Sequence, residues 1–131
     1  MYPFRVLVVD DVQAWRDVAR SMLEKMPGLV VVAEASDGAE AVQKAEEQQP
    51  DLIVLDIGLP TLNGIEVARR IRPTCRASKI VFFSADRHYD AAEVGLGAGV
   101  TTYVLKSRAA TDLVPAVEAT LNGVLGALIL G

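Results

Sequence analysis

The chain holds 131 residues, the size of one domain. Hydrophobic residues make up 51% and charged ones 23%, which allows a sizeable core and excludes global disorder; aromatics, at 5%, leave that core to Val, Leu, Ile and Ala. The net charge of −4 excludes direct nonspecific binding of nucleic acid, and a single cysteine (Cys75) with a single histidine (His88) excludes an internal disulfide and Cys- or His-rich metal cages, a usage that fits the cytoplasm.

The first apolar run, Arg5–Val9, reads as a strand and is stopped by Asp10-Asp11. Val12–Lys25 follows as an amphipathic helix with Trp15, Val18, Ala19, Met22 and Leu23 on one stripe, closed by Pro27-Gly28. Leu29–Ala33 is the second strand. Asp37 is placed to cap a helix over Gly38–Gln48, which ends before Pro50. Leu52–Leu55 is the third strand, and Asn63–Ile71 a helix stopped by Pro73. Ile80–Phe83 is the fourth strand, Tyr89–Leu96 a short Ala-rich helix, and Thr101–Leu105 a more mixed fifth strand. A last helix opens at Ala110 or Thr111, runs to about Leu121 and has Pro115 in its first turn. Residues 122–131 either finish that helix or start a linker to an output domain absent from this chain. No run is long enough to span a membrane, so no membrane contact is expected. Short buried strands alternating with helices make an α/β domain, with helices on both faces of a parallel sheet.

In open α/β sheets functional groups collect at the carboxyl ends of the strands. Here those ends carry Asp10 and Asp11 after the first strand, Asp56 after the third, Ser84 at the fourth and Lys106 after the fifth. Singly, each has a plain structural reading as a cap, a turn residue or a solvated lysine. On one edge they make a site. Three carboxylates without His or Cys suit Mg²⁺ or Mn²⁺. Lys106 adds a second positive charge, and the Ser84 hydroxyl can donate to an oxyanion. Such a pocket can hold a phosphoryl group on a carboxylate, with Asp56 as the nucleophile and Asp10 and Asp11 as metal ligands.

At Val8-Val9-Asp10-Asp11, Pro50 through Pro60, Asn63-Gly64-Ile65-Glu66, Phe83-Ser84-Ala85 and Tyr103-Val104-Leu105-Lys106 the chain resembles the receiver domain of two-component response regulators, over essentially residues 4–121. The resemblance implies a doubly wound five-stranded parallel sheet, flavodoxin-like (βα)5, strand order 2-1-3-4-5, with residues 1–121 as the receiver. It implies Asp56 as the acceptor of a phosphoryl group from a sensor histidine kinase. It implies Mg²⁺ held by Asp11, Asp56 and the Gly58 carbonyl, with Asp10 assisting through water. Ser84 and Lys106 would contact the phosphoryl oxygens, Ala85 would leave room for them, and Tyr103 would be the rotating aromatic switch. Dimerisation through the fourth helix, fifth strand and fifth helix is part of the same resemblance. The family often has a cis Lys-Pro bond where Lys106-Ser107 stands, and a cis bond before a residue other than proline costs about 2.5–4 kcal/mol. Lys-Ser resembles receivers joined to LuxR/NarL-type DNA-binding output domains.

Other functions fit less well. A receiver-like module that works without phosphorylation, by fixed contacts, would lack an acid or the lysine, and none is missing. A haloacid-dehalogenase-type phosphatase needs a second Asp where Gly58 stands, so no external substrate is expected. A flavodoxin-like cofactor binder needs Gly, Ser and Thr where Asp10-Asp11 would repel phosphate.

Overall fold

Five parallel strands lie in the order β2-β1-β3-β4-β5 in the computed structural model, which describes residues 3–85 and 100–130, with side chains at 3–85 and 102–122. The strands are β1 (Phe4–Val9), β2 (Leu29–Ala35), β3 (Leu52–Leu55), β4 (Lys79–Ser84) and β5 (Val100–Leu105). The expected helix over Tyr89–Leu96 lies outside the described residues. β1, β3 and β4 are apolar and buried on both sides, as expected of the interior of a parallel sheet. β2 is an edge strand, half-buried, with Val30 exposed. Both edge strands break register against their neighbours, β2 beside Val6 and Leu7 and β5 beside Ile80 and Val81. Such irregularities discourage pairing with another chain.

Helices cover both faces. α1 (Gln13–Glu24) and the C-terminal helix (Ala109–Leu130) lie on one, where Ala19, Leu23, Leu113, Val117 and Leu121 pack against Val6, Val8, Val54, Val81 and Phe83. α2 (Gly38–Gln48) and α3 (Gly64–Ile71) lie on the other, where Ala41, Ala45, Val67, Ala68 and Ile71 pack against Leu7, Val9, Ile53, Leu55 and Phe82. Neighbouring residues of each strand thus feed opposite cores, because side chains alternate along a strand.

The helix starts follow local chemistry. Asp37 caps α2 by accepting from Glu40 N–H at 2.8 Å, and Glu40 accepts in return from Ser36 N–H at 2.7 Å. Asn63 caps α3 by accepting from Glu66 N–H at 3.0 Å. α2 ends at Gln49, whose φ of 46° is left-handed, just before Pro50.

The C-terminal helix departs from the sequence expectation at its start, and at its end it takes the first of the two alternatives left open for residues 122–131. A 3-10 turn over Lys106–Arg108 leads directly into it, so it begins at Ala109 and Pro115 falls in the second turn, not the first. Proline cannot donate to the Thr111 carbonyl there, but Thr111 is exposed and water can take that bond. The helix then runs past Asn122, Gly123 and Gly126 to Leu130. Each glycine costs about 1 kcal/mol against alanine without breaking the hydrogen-bond ladder, so glycine alone does not stop a helix. Among the described residues no helix is long and apolar enough to cross a membrane, and no peptide bond is cis.

The register sets the strand ends level. Val9 pairs with both Ala35 and Leu55, Leu55 with Phe82, and Ser84 with Leu105. The chain reverses its direction of sheet growth between β1 and β3, so the crevice of the fold opens between those two ends.

Gly64 holds the loop after β3 under that crevice. A Cβ there would strike the Asp56 carbonyl oxygen and lie 2.8 Å from Ile57 Cα, both backbone atoms that cannot swing away. Gly64→Ala is therefore expected to lower the unfolding free energy by about 1–3 kcal/mol, read as a lower urea midpoint at unchanged slope.

Candidate functional site

The backbone ladders run past the last residues of β1 and β3 and fix both acids. Asp10 N–H donates to Ala35 O at 3.1 Å and Asp56 N–H to Val9 O at 3.0 Å. Asp10 also opens α1, because its Oδ1 accepts from Val12 N–H at 2.9 Å. The Arg16 guanidinium reaches back from α1 to the Asp10 carbonyl at 2.7 Å, held by an ion pair to Glu34 at 3.2 Å. Asp56 Oδ1 accepts from Gly58 N–H at 3.1 Å.

Asp10, Asp11 and Asp56 each bring a carboxylate oxygen within 4.8 Å of the others. Asp10 and Asp56 are buried, at 2% and 5% exposure, while Asp11 faces solvent. Lys106, expected from the sequence at this edge as a second positive charge, is 7% exposed. Its ammonium sits 2.6 Å from Asp10 Oδ2 and 3.3 Å from Asp56 Oδ2. The contact to Asp10 is an ion pair without the alignment of a hydrogen bond, so Asp10 Oδ2 is a buried oxygen without a hydrogen-bond donor. One ammonium thus faces two buried carboxylates, with that of Asp11 within 4.8 Å of both. Burial, more than any neighbour, pushes the Asp56 carboxyl above the usual aspartate range; Lys106 opposes the shift and Asp10 reinforces it.

An excess of carboxylates over the one ammonium fits a hard divalent cation, which takes oxygen ligands and needs no His or Cys. The donor set therefore fits Mg²⁺, with Asp11 as its solvent-facing side.

Ser84 is buried at the end of β4 and Ala85 beside it is exposed. Tyr103 lies elsewhere. It is half-buried against the core beneath α2 and α3, its ring 6.5 Å from that of Phe82. The structure thus brings Asp10, Asp11, Asp56 and Lys106 into contact range, sets Ser84 and Ala85 on the same edge, and places Tyr103 within β5 on a flank.

Two aromatic rings at the site are not part of the sequence reading, which takes Trp15 as helix-face packing. Trp15 stands edge-to-face with Phe83, centroids 5.7 Å apart. The Lys106 ammonium lies 5.2 Å from the centre of the Trp15 ring and 5.9 Å from that of Phe83. Such cation–π contacts contribute about 0.5–2 kcal/mol, most when desolvated. The one legible signal was position, since Trp15 stands one helical turn beyond Asp11.

A response regulator receiver domain model matches residues 6–118, and the chain belongs to that family, the receivers of two-component response regulators. Relatives include the nitrate/nitrite response regulator NarL of Escherichia coli K12, 32% identical over 121 residues that cover 92% of this chain and 56% of NarL. Another is the chemotaxis protein CheY of Bacillus subtilis, 34% identical, with 90% of this chain and 98% of CheY covered. The chain spans about half the length of NarL and similar transcriptional regulators. Among solved structures, a LuxR-family response regulator from Aurantimonas sp. SI85-9A1 superposes with a TM-score of 0.82 at 38% identity, over 92% of this chain and 86% of that one.

The raised Asp56 pKa has a consequence for stability. The folded state holds the Asp56 proton more tightly than the unfolded chain does, so this group's contribution is fully present below the ordinary aspartate value of 3.8 and is lost as pH rises through the raised value. In chelator, Asp56→Asn should therefore unfold at higher denaturant than wild type at pH 7. The gain should shrink as pH falls through the raised value and vanish below the ordinary one, as followed by urea titrations across pH.

Proposed function

We propose that Asp56 is the phosphoacceptor of this receiver, taking a phosphoryl group from a sensor histidine kinase, and that its state sets the surface built on β5 and the helices beside it. The observation that carries this reading is the buried ammonium of Lys106 between Asp10 and Asp56, with more carboxylate around it than it can neutralise. Asp11, Asp56 and the Gly58 carbonyl would hold Mg²⁺, with Asp10 assisting through water. Bound there, the ion neutralises charge on the transferring phosphoryl group.

In the transfer an Asp56 carboxylate oxygen attacks phosphorus, the phosphorus–nitrogen bond to the kinase histidine breaks, and the imidazole keeps the electron pair and takes up a proton. Lys106 is already within 3.3 Å of Asp56 and needs only a small movement to pair with a phosphoryl oxygen. Ser84, at the end of the adjoining strand, donates its hydroxyl to another. The small Ala85 leaves the space open. Movement of Ser84 makes room for Tyr103 to turn inward and change the β5 flank. Shifting a population from 1:99 to 99:1 takes about 5.5 kcal/mol, the order that charge-assisted hydrogen bonds and one aromatic repacking together supply.

The site acts on its own aspartate and on no external substrate. The domain works in the cytoplasm, pairs with a second copy through the β5 flank, and carries its signal to a DNA-binding output domain of the LuxR/NarL type. The chain itself binds neither membrane nor nucleic acid.

Incubation with acetyl phosphate and Mg²⁺, read by intact mass, should add one phosphoryl group to wild type and none to Asp56→Asn or to protein in chelator. A wild-type mass unchanged by acetyl phosphate, and unchanged stability with beryllofluoride, would overturn the reading. Lys106→Ala should still gain the group yet fail to change its oligomeric state or output on doing so.

A further inference from the structure

We propose that Trp15 is a positioning residue for the phosphoryl chemistry at Asp56. With Phe83 it forms an aromatic corner that holds the Lys106 ammonium over the acidic crevice. The inference rests on Asp56 as phosphoacceptor and adds a component that the carboxylates do not supply.

The corner is built from two elements. Phe83 is a buried residue of β4, and Trp15 stands in the first turn of α1, edge-to-face with it at 5.7 Å. Both rings lie within 6 Å of the ammonium, the range in which a ring face attracts a cation. The ring is tied to the site by backbone. Trp15 N–H donates to Val12 O at 3.0 Å, and Val12 N–H donates to Asp10 Oδ1 at 2.9 Å. Arg16, the next residue, bonds the Asp10 carbonyl at 2.7 Å. Any placement of Asp10 is therefore also a placement of the Trp15 ring.

The physical need arises when the acids are engaged. Lys106 is anchored to Asp10 by an ion pair and to Asp56 by an ion pair with a hydrogen bond at 3.3 Å. A divalent cation on the same carboxylates, or a phosphoryl ester on Asp56, removes part of that anchor. A long lysine side chain has rotamers that lead out to water. The ring faces carry no net charge and bind no divalent cation, so their attraction persists through those changes. The ammonium then remains within reach of the incoming phosphoryl oxygens.

The test is a double-mutant cycle on the rate of phosphoryl gain from acetyl phosphate with Mg²⁺, followed by intact mass in folded protein. Trp15→Leu should slow the gain about tenfold in the presence of Lys106 and leave it unchanged in the Lys106→Ala background. Trp15→Phe, which keeps a ring, should stay within about twofold of wild type. Nuclear magnetic resonance should show Lys106 side-chain protons moved upfield by ring current in wild type and Trp15→Phe, and not in Trp15→Leu. Should Trp15→Leu fail to fold, Trp15→Met takes its place with the same two expectations. Equal rates in Trp15→Leu and wild type, or the same loss with and without Lys106, would overturn the proposal. A wild type that gains no phosphoryl group and whose stability beryllofluoride leaves unchanged would overturn the assignment of Asp56, and this inference with it.

Discussion

Everything at the carboxyl edge of this sheet depends on one electrostatic imbalance. A single buried ammonium, from Lys106, stands among the carboxylates of Asp10, Asp11 and Asp56. Burying charge is costly unless it is paired, and one lysine cannot pair with three acids. The fold enforces the arrangement regardless, because the ladders that end at Asp10 and Asp56 also hold β1, β2 and β3 together. The site is therefore kept short of positive charge by the scaffold, while burial, reinforced by Asp10, holds the Asp56 pKa above the usual aspartate range. A pocket in that state is receptive to a cation, and afterwards to a group whose oxygens need both the cation and the lysine.

The two faces of the sheet divide the remaining work. Phe83 and Phe82 are neighbours on β4, yet one belongs to the core under α1 and the C-terminal helix and the other to the core under α2 and α3. Lys106 is fixed on the first side, against Trp15 and Phe83. Tyr103 packs on the second, beside Phe82. Ser84 is the next residue along the same strand. A shift of Ser84 at the site therefore acts on a strand that touches both aromatic systems.

Much of this was legible in the sequence, for identifiable reasons. Continuous apolar runs can be satisfied only inside a parallel sheet, so β1, β3 and β4 stood out to within a residue or so. The Asp37 cap was visible because a side-chain acceptor three residues before a helical N–H is a local feature; Asn63, read as the first residue of its helix, is instead the cap just before it. The site acids could be collected from distant segments because parallel strands place their ends on one edge. The end of the C-terminal helix was not legible. Asn122, Gly123 and Gly126 left a helix end and a linker equally open, because nothing local forces an end there. The aromatic corner was not legible either, because a tryptophan on an apolar stripe has the same pattern whether it packs on leucine or on a lysine. Only the approach of β4 and of the turn after β5 distinguishes the two.

The central claim is that the carboxylate excess at this edge is a divalent-cation site, and Mg²⁺-dependent stability tests it most directly. A ligand that binds only the folded state at a hundred times its dissociation constant adds about 2.7 kcal/mol. Thermal unfolding of the whole chain should therefore shift upward by several degrees in millimolar Mg²⁺ at matched ionic strength, with the shift much reduced in Asp11→Asn and in Asp56→Asn. The same shift in all three proteins, or none in wild type, would contradict the account.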